Sequence, residues 1–260
     1  MDTINLKNAI IEALMEVRIA KTEAGYIFRL RSGLYKDNFS KSLHPTSIKL
    51  RNNFGTVMSS GKLLRQTLNS LLINFNTRYS INKINSAIWK IVLSDKINEP
   101  NQKNAFHGDN TPLKNLDLNP QASLHTLLFV NWKSTVDREK GLVSLTVPSF
   151  NPMENIKYFK GATHFRIVSA AAELDFLTLD QRSSFMESDY LPIEHFDTEI
   201  ISHEHQLNEK GIHTIILVLG LQYFQKVNGF YYQLLDRSKN GITIINVDQV
   251  SNEIKMSIKK

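Results

Sequence analysis

The chain has 260 residues, of which 42% are hydrophobic and 22% charged, with 11 glycines, 7 prolines and no cysteine. These proportions exclude a disordered chain, a collagen-like fibre and long glycine- or proline-rich linkers. The missing thiols also remove disulfides, thiolate metal sites, iron–sulfur clusters and cysteine nucleophiles, and the net charge is +6.

Taken from the start, Val17, Ile19, Tyr26, Phe28 and Leu30 alternate at period two. This predicts a hairpin with strands at about 15–21 and 26–31, joined by Thr22-Glu23-Ala24-Gly25. Its other face carries Arg18, Arg29 and Arg31. A ribbon that is apolar on one side and cationic on the other must cover either its own domain or another chain.

His44-Pro45-Thr46-Ser47 supplies helix-start chemistry. A helical stripe from Ile48 through Phe54, Leu64 and Leu71 to Phe75 follows, with Gly55 and Gly61 as expected points of breakage or close contact. Ile81, Ile84, Ile88, Ile91 and Val92 predict a second helix from Ser80 to about Ser94, antiparallel to the first across a short connection. Residues 96–120 turn to Asn, Asp, Gln and Pro and read as a linker.

Strand patterns then cover 123–136, 142–147, 163–176, 198–207, 212–225, 229–236 and 241–250. Seven strands at that spacing predict a mostly antiparallel β-sandwich. Asn228-Gly229 between two apolar runs is the strongest hairpin signal.

Charge divides the chain. Residues 1–103 carry 16 Lys and Arg against 7 Asp and Glu, and residues 104–260 carry 15 against 18. A like-signed field of this kind suits either a solvated face or an acidic partner. Arg18, Arg29, Arg31, Lys49, Arg51, Lys62 and Arg65 are the candidate anion or nucleic-acid contacts.

Motifs for chemistry are sparse. His203 and His205 share a strand face, but nothing fixes a third metal ligand, so exposed strand residues are expected. Glu173 and Asp175 also share a face, read here as an outward polar face opposite Val168, Ala170, Ala172, Leu174 and Phe176. A sugar-binding or hydrolytic use of that carboxylate pair is the third functional alternative. Tyr223, Phe224, Phe230, Tyr231 and Tyr232 fit core packing, with an aromatic binding face as the alternative. No P-loop, dinucleotide fingerprint or Gly-x-Ser-x-Gly elbow is present in the sequence, and no cofactor is expected.

The blocks Gly61-Lys-Leu-Leu-Arg65, Gly161-Ala-Thr-His-Phe165, Ala172-Glu-Leu-Asp-Phe176 and Leu217 to Gly229 resemble those of a group of uncharacterised proteins from Bacteroidota. The resemblance spans about residues 15–250 and is specific for membership, but it implies no activity and no catalytic residue. Pro45 to Phe54 is similar, more loosely, to stretches of phage-derived structural proteins.

The expected fold is therefore α+β: an N-terminal basic hairpin arm (1–43), an antiparallel helix pair (44–95), a linker (96–120) and a mostly antiparallel β-sandwich (121–260). The expected function is a non-enzymatic assembly subunit that forms a homo-oligomer or a larger particle. Val17, Ile19, Tyr26, Phe28 and Leu30 are its interface, and a nucleic-acid-binding protein is the alternative. The start of the chain lacks a secretory pattern, and its longest apolar run, Ile215 to Leu221, is too short to span a membrane. A cytoplasmic location is expected, with export by a non-classical route left open.

Overall fold

The computed structural model describes residues 17–22, 25–30, 45–75 and 80–252, with side chains described from residue 52 onward. The chain divides into two compact units, Met1–Ile48 and Lys49–Lys260. In the first, β1 (Val17–Thr22) and β2 (Gly25–Leu30) pair antiparallel, with Val17 opposite Leu30, Ile19 opposite Phe28 and Arg18 opposite Arg29. Arg31 lies outside the described residues. So do the side chains of the five candidate interface residues and those of Arg18, Arg29, Lys49 and Arg51.

The fold is α+β and mostly antiparallel β. Helix α1 (Pro45–Thr67) begins on a proline, whose fixed φ and missing N–H suit a first helical position. It runs unbroken through Gly55 and Gly61 and stops at Leu68, after which the short α2 (Asn69–Leu72) follows. Gly61 is a close contact, not a kink, because a Cβ there would collide with Asn85 Oδ1 on α3 (Ser80–Ser94).

Two sheets follow. The larger has the order β3 (Leu116–Asp117), β12 (Gly241–Asp248), β10 (Thr214–Val227), β6 (His164–Leu174) and β7 (Gln181–Glu187), with β11 (Phe230–Gln233) also on β10 and β8 (Leu191–Pro192) also on β6. The smaller has the order β4 (Lys133–Asp137), β5 (Leu142–Val147) and β9 (Ile201–Gln206). Alternation along β6 and β10 divides the core. Val168, Ala170, Ala172, Leu174, Ile216 and Val218 pack with Leu64, Leu68, Ile84, Ile88 and Ile91 of the helices. Ile167, Ala171, Ile215, Leu217, Leu219 and Leu221 pack with Val143, Leu145 and Val147 of the smaller sheet.

The expected hairpin at Asn228-Gly229 forms. Both residues take positive φ, 51° and 85°, and set Val227 opposite Phe230. Elsewhere the sequence pattern is overridden. Residues 96–120 are built into the same unit as the sheets, with Ala105, Phe106, Leu113 and Leu118 buried in the helix-side core. Asp95 organises their start: its carboxylate accepts from the Ile97, Asn98 and Asn104 N–H groups and from the Asn98 amide. These bonds hold its pKa below the ordinary range although burial alone would raise it. The 123–136 pattern yields a strand only over Lys133–Asp137, and β7 was not anticipated because Gln-Arg-Ser-Ser-Phe-Met-Glu has no apolar alternation. Among the described residues no helix is long and apolar enough to cross a membrane.

Candidate functional site

The chemistry-bearing residues of the described structure gather where β6, β7 and β9 meet. On β6 the face toward the smaller sheet carries Ser169 and Glu173 among apolar residues. The register sets Ala171 opposite Ser184 and Glu173 opposite Arg182, and opposed residues share a face. On β9, His203 and His205 lie opposite Leu145 and Val143, both core residues. Both imidazoles therefore point inward. They are 3% and 0% exposed, against the expectation of exposed strand residues, because β9 is amphipathic and its histidines occupy the inward parity.

Ser169 Oγ lies 2.6 Å from His203 Nδ1 and 2.8 Å from His205 Nε2, and His205 Nδ1 lies 3.2 Å from Ser184 Oγ. A hydroxyl that donates to one imidazole accepts from the other, so the chain is satisfied when both rings are neutral. Burial pushes the His203 pKa down; burial and the neighbouring His203 push that of His205 down to about 4. Ser169 is wholly buried. A nucleophile must reach a substrate carbonyl, so this serine–histidine contact reads as a structural bridge between sheets.

One step further along β6 and β7 the seam opens into a cleft of about 230 Å³, lined by Glu173, Asp175, Asp180, Arg182, Asn208 and His213, with Gln181. Glu173 and Asp175 are 3% and 8% exposed, not outward as the alternation suggested, because β6 is covered on both faces. The Asn208 amide donates to Glu173 Oε2 at 2.7 Å, and its Oδ1 accepts from Arg182 at 2.6 Å. Asp175 accepts from the Leu177 N–H and the Thr178 hydroxyl, with His213 Nδ1 at 3.7 Å. Burial opposes ionisation there, but these bonds and His213 together hold the carboxyl below its ordinary pKa. Arg138 fixes the far wall, donating to the carbonyls of Gly211, His213 and Asp248 and to the Asp248 carboxylate.

Of the candidate basic residues with described side chains, Lys62 and Arg65 line one cleft of about 590 Å³ with Gln66, Asn69 and Ser80. Burial lowers the Arg65 pKa, and its guanidinium donates to Asn85. The aromatic residues split. Tyr223 is buried and donates its hydroxyl to the Lys157 carbonyl, and Phe224 is buried as well. Tyr231 stacks on Tyr190 at 4.1 Å, with Arg166 over the Tyr190 ring at 3.9 Å, whereas Phe230 and Tyr232 are exposed.

Sequence reasoning did not identify Ser169, Ser184, Arg182, Asn208 or Arg138. The readable signal was parity: Ser169 and Glu173 sit four apart in the stretch 167–174, which is otherwise apolar, hence on one face. Their partners come from segments up to 36 residues away and have no local signature. Among the described residues no group of three or more His, Cys, Asp or Glu side chains could hold a metal ion. Comparison of the chain with known protein families, with curated proteins and with solved structures finds no match.

Proposed function

We propose that the chain is a non-enzymatic assembly protein, a β-sandwich subunit that self-associates, with the N-terminal hairpin as its arm. The observation that carries this reading is the β10–β11 ribbon. Its register puts Val227 opposite Phe230 and Gln225 opposite Tyr232, and Phe230 and Tyr232 are 68% and 58% exposed. Apolar and aromatic side chains grouped on one solvent-facing ribbon are the usual mark of a contact surface. The apolar positions of the arm support the same reading. A second copy of the chain is the partner, and repetition closes a ring or extends a filament according to the rotation between copies.

The test is light scattering after size exclusion, on nuclease-treated protein. Full-length chain should form an oligomer, Phe230→Asp and Phe28→Asp should each weaken it, and removal of residues 1–36 should leave a folded monomer. Full-length protein that stays monomeric at high concentration, or an oligomer that none of these changes affects, overturns the reading. The joint placement of Lys62 and Arg65 in one cleft favours a second reading, contact with nucleic-acid phosphates. Binding to duplex or single strand that weakens steeply with salt, and more weakly in Lys62→Ala/Arg65→Ala, would support it.

A further inference from the structure

The cleft at the open end of the polar seam contains a carboxylate oxygen that the described residues do not satisfy. Glu173 is 3% exposed and its Oε2 is taken by Asn208, but its Oε1 is buried without a hydrogen-bond donor. A buried acceptor without a donor is costly, because its hydration is lost and nothing replaces it. The neighbouring groups do not supply that donor. Arg182, although opposite Glu173 in register, donates to Asn208, and Arg138 donates to backbone carbonyls and to Asp248. His213 approaches Asp175 instead.

We propose that this cleft binds a small organic cation, a primary ammonium on a short aliphatic chain, with Glu173 Oε1 as its anchor. Four features define the ligand. A carboxylate oxygen only accepts, so the ligand must donate. The exposed Asp180 at the rim adds negative charge without closing the site. No set of three converging ligands is present among the described residues, which disfavours a bare divalent cation and leaves an ammonium, for which one carboxylate and a polar wall suffice. A volume of about 230 Å³ lies below the ~300–1,000 Å³ of drug-sized pockets, so the cleft takes an amine head and a few carbons.

The backbone beside Glu173 is fixed. Gly211 brings bare backbone against the Glu173 carboxylate, since a Cβ there would collide with Oε1, and Arg138 holds the Gly211 and His213 carbonyls in place. This inference is independent of the assembly reading, because it concerns the described β6–β7 end of the sheet and neither the arm nor the β10–β11 ribbon.

The experiment is amide NMR of the full chain near pH 7.5 at physiological salt, titrated with n-butylamine, with 1,4-diaminobutane and, as the neutral counterpart, with 1-butanol. Both amines should give saturable shifts centred on Asn208, Gly211 and Glu173, with dissociation constants on the order of 1 mM or tighter, and the alcohol should not. Glu173→Gln should weaken amine binding about tenfold or more, and Gly211→Ala should do so by displacing the carboxylate. Glu204→Gln, on the exposed face of β9, should leave it unchanged. Absence of saturable shifts overturns the proposal, as do equal shifts with 1-butanol or an affinity of Glu173→Gln within about twofold of wild type. If either variant fails to fold, the contrast between amine and alcohol in the wild-type chain still decides.

Discussion

The two faces of the large sheet are built by the same strands and differ in kind. Toward the helices, β6 and β10 present Val168, Ala170, Ala172, Leu174, Ile216 and Val218 to an apolar layer from α1, α2 and α3. Toward the smaller sheet they present an apolar core broken by Ser169, which meets His203 and His205, and by Glu173, which meets Asn208, while Ser184 joins through His205. The first face is held by area and fit, which are non-directional. The second is held in part by groups that must each find a particular partner, and it is there that the sheet opens into a cleft. Polar positions inside a strand buried on both faces thus mark where directional contacts, and the candidate ligand site, are placed.

The comparison can be broken most severely on the helix side. Ile88→Ala removes a wholly buried side chain from between α3 and the sheet and should cost about 2–5 kcal/mol in urea unfolding. Overfilling the same face should also destabilise: Gly220→Ala would force a Cβ against Phe75 and Val168 and should cost about 1–3 kcal/mol.

On the polar side the larger effect is pH dependence. His205 titrates near 4 in the folded chain against an ordinary 6.5, so the unfolded chain binds the proton more readily. The stability from keeping the ring neutral is full above about pH 6.5 and is lost as pH falls toward about 4, a change on the order of 3 kcal/mol. Urea melts across that window should show the slope, and His203→Gln/His205→Gln should flatten it. Ser169→Ala strands both imidazoles and should cost about 1–3 kcal/mol. Phe230→Ser removes an exposed side chain and should change monomer stability by no more than about 0.5 kcal/mol, while weakening self-association.

Local chemistry was legible in the sequence. Proline at the start of α1, the three- and four-residue spacing of Ile84, Ile88 and Ile91, and Asn228-Gly229 between two apolar runs each fix a short-range geometry that the side chains dictate by themselves. The α+β, mostly antiparallel class followed from them. Tertiary structure decided what covers what. Period two put Glu173 and Asp175 on one face of the expected strand 163–176 and His203 and His205 on one face of β9, but burial is not a property of a strand alone. Packing of the two sheets against each other turned two expected surfaces into interior, and 96–120 became core because Phe106, Leu113 and Leu118 found the helices and the sheet, although its composition is that of a loop. The Ser169–His205 contact spans 36 positions and the Asn110–Thr214 hydrogen bond spans 104. Such pairs are set by the packing of whole sheets and helices, and one-dimensional periodicity carries no term for it.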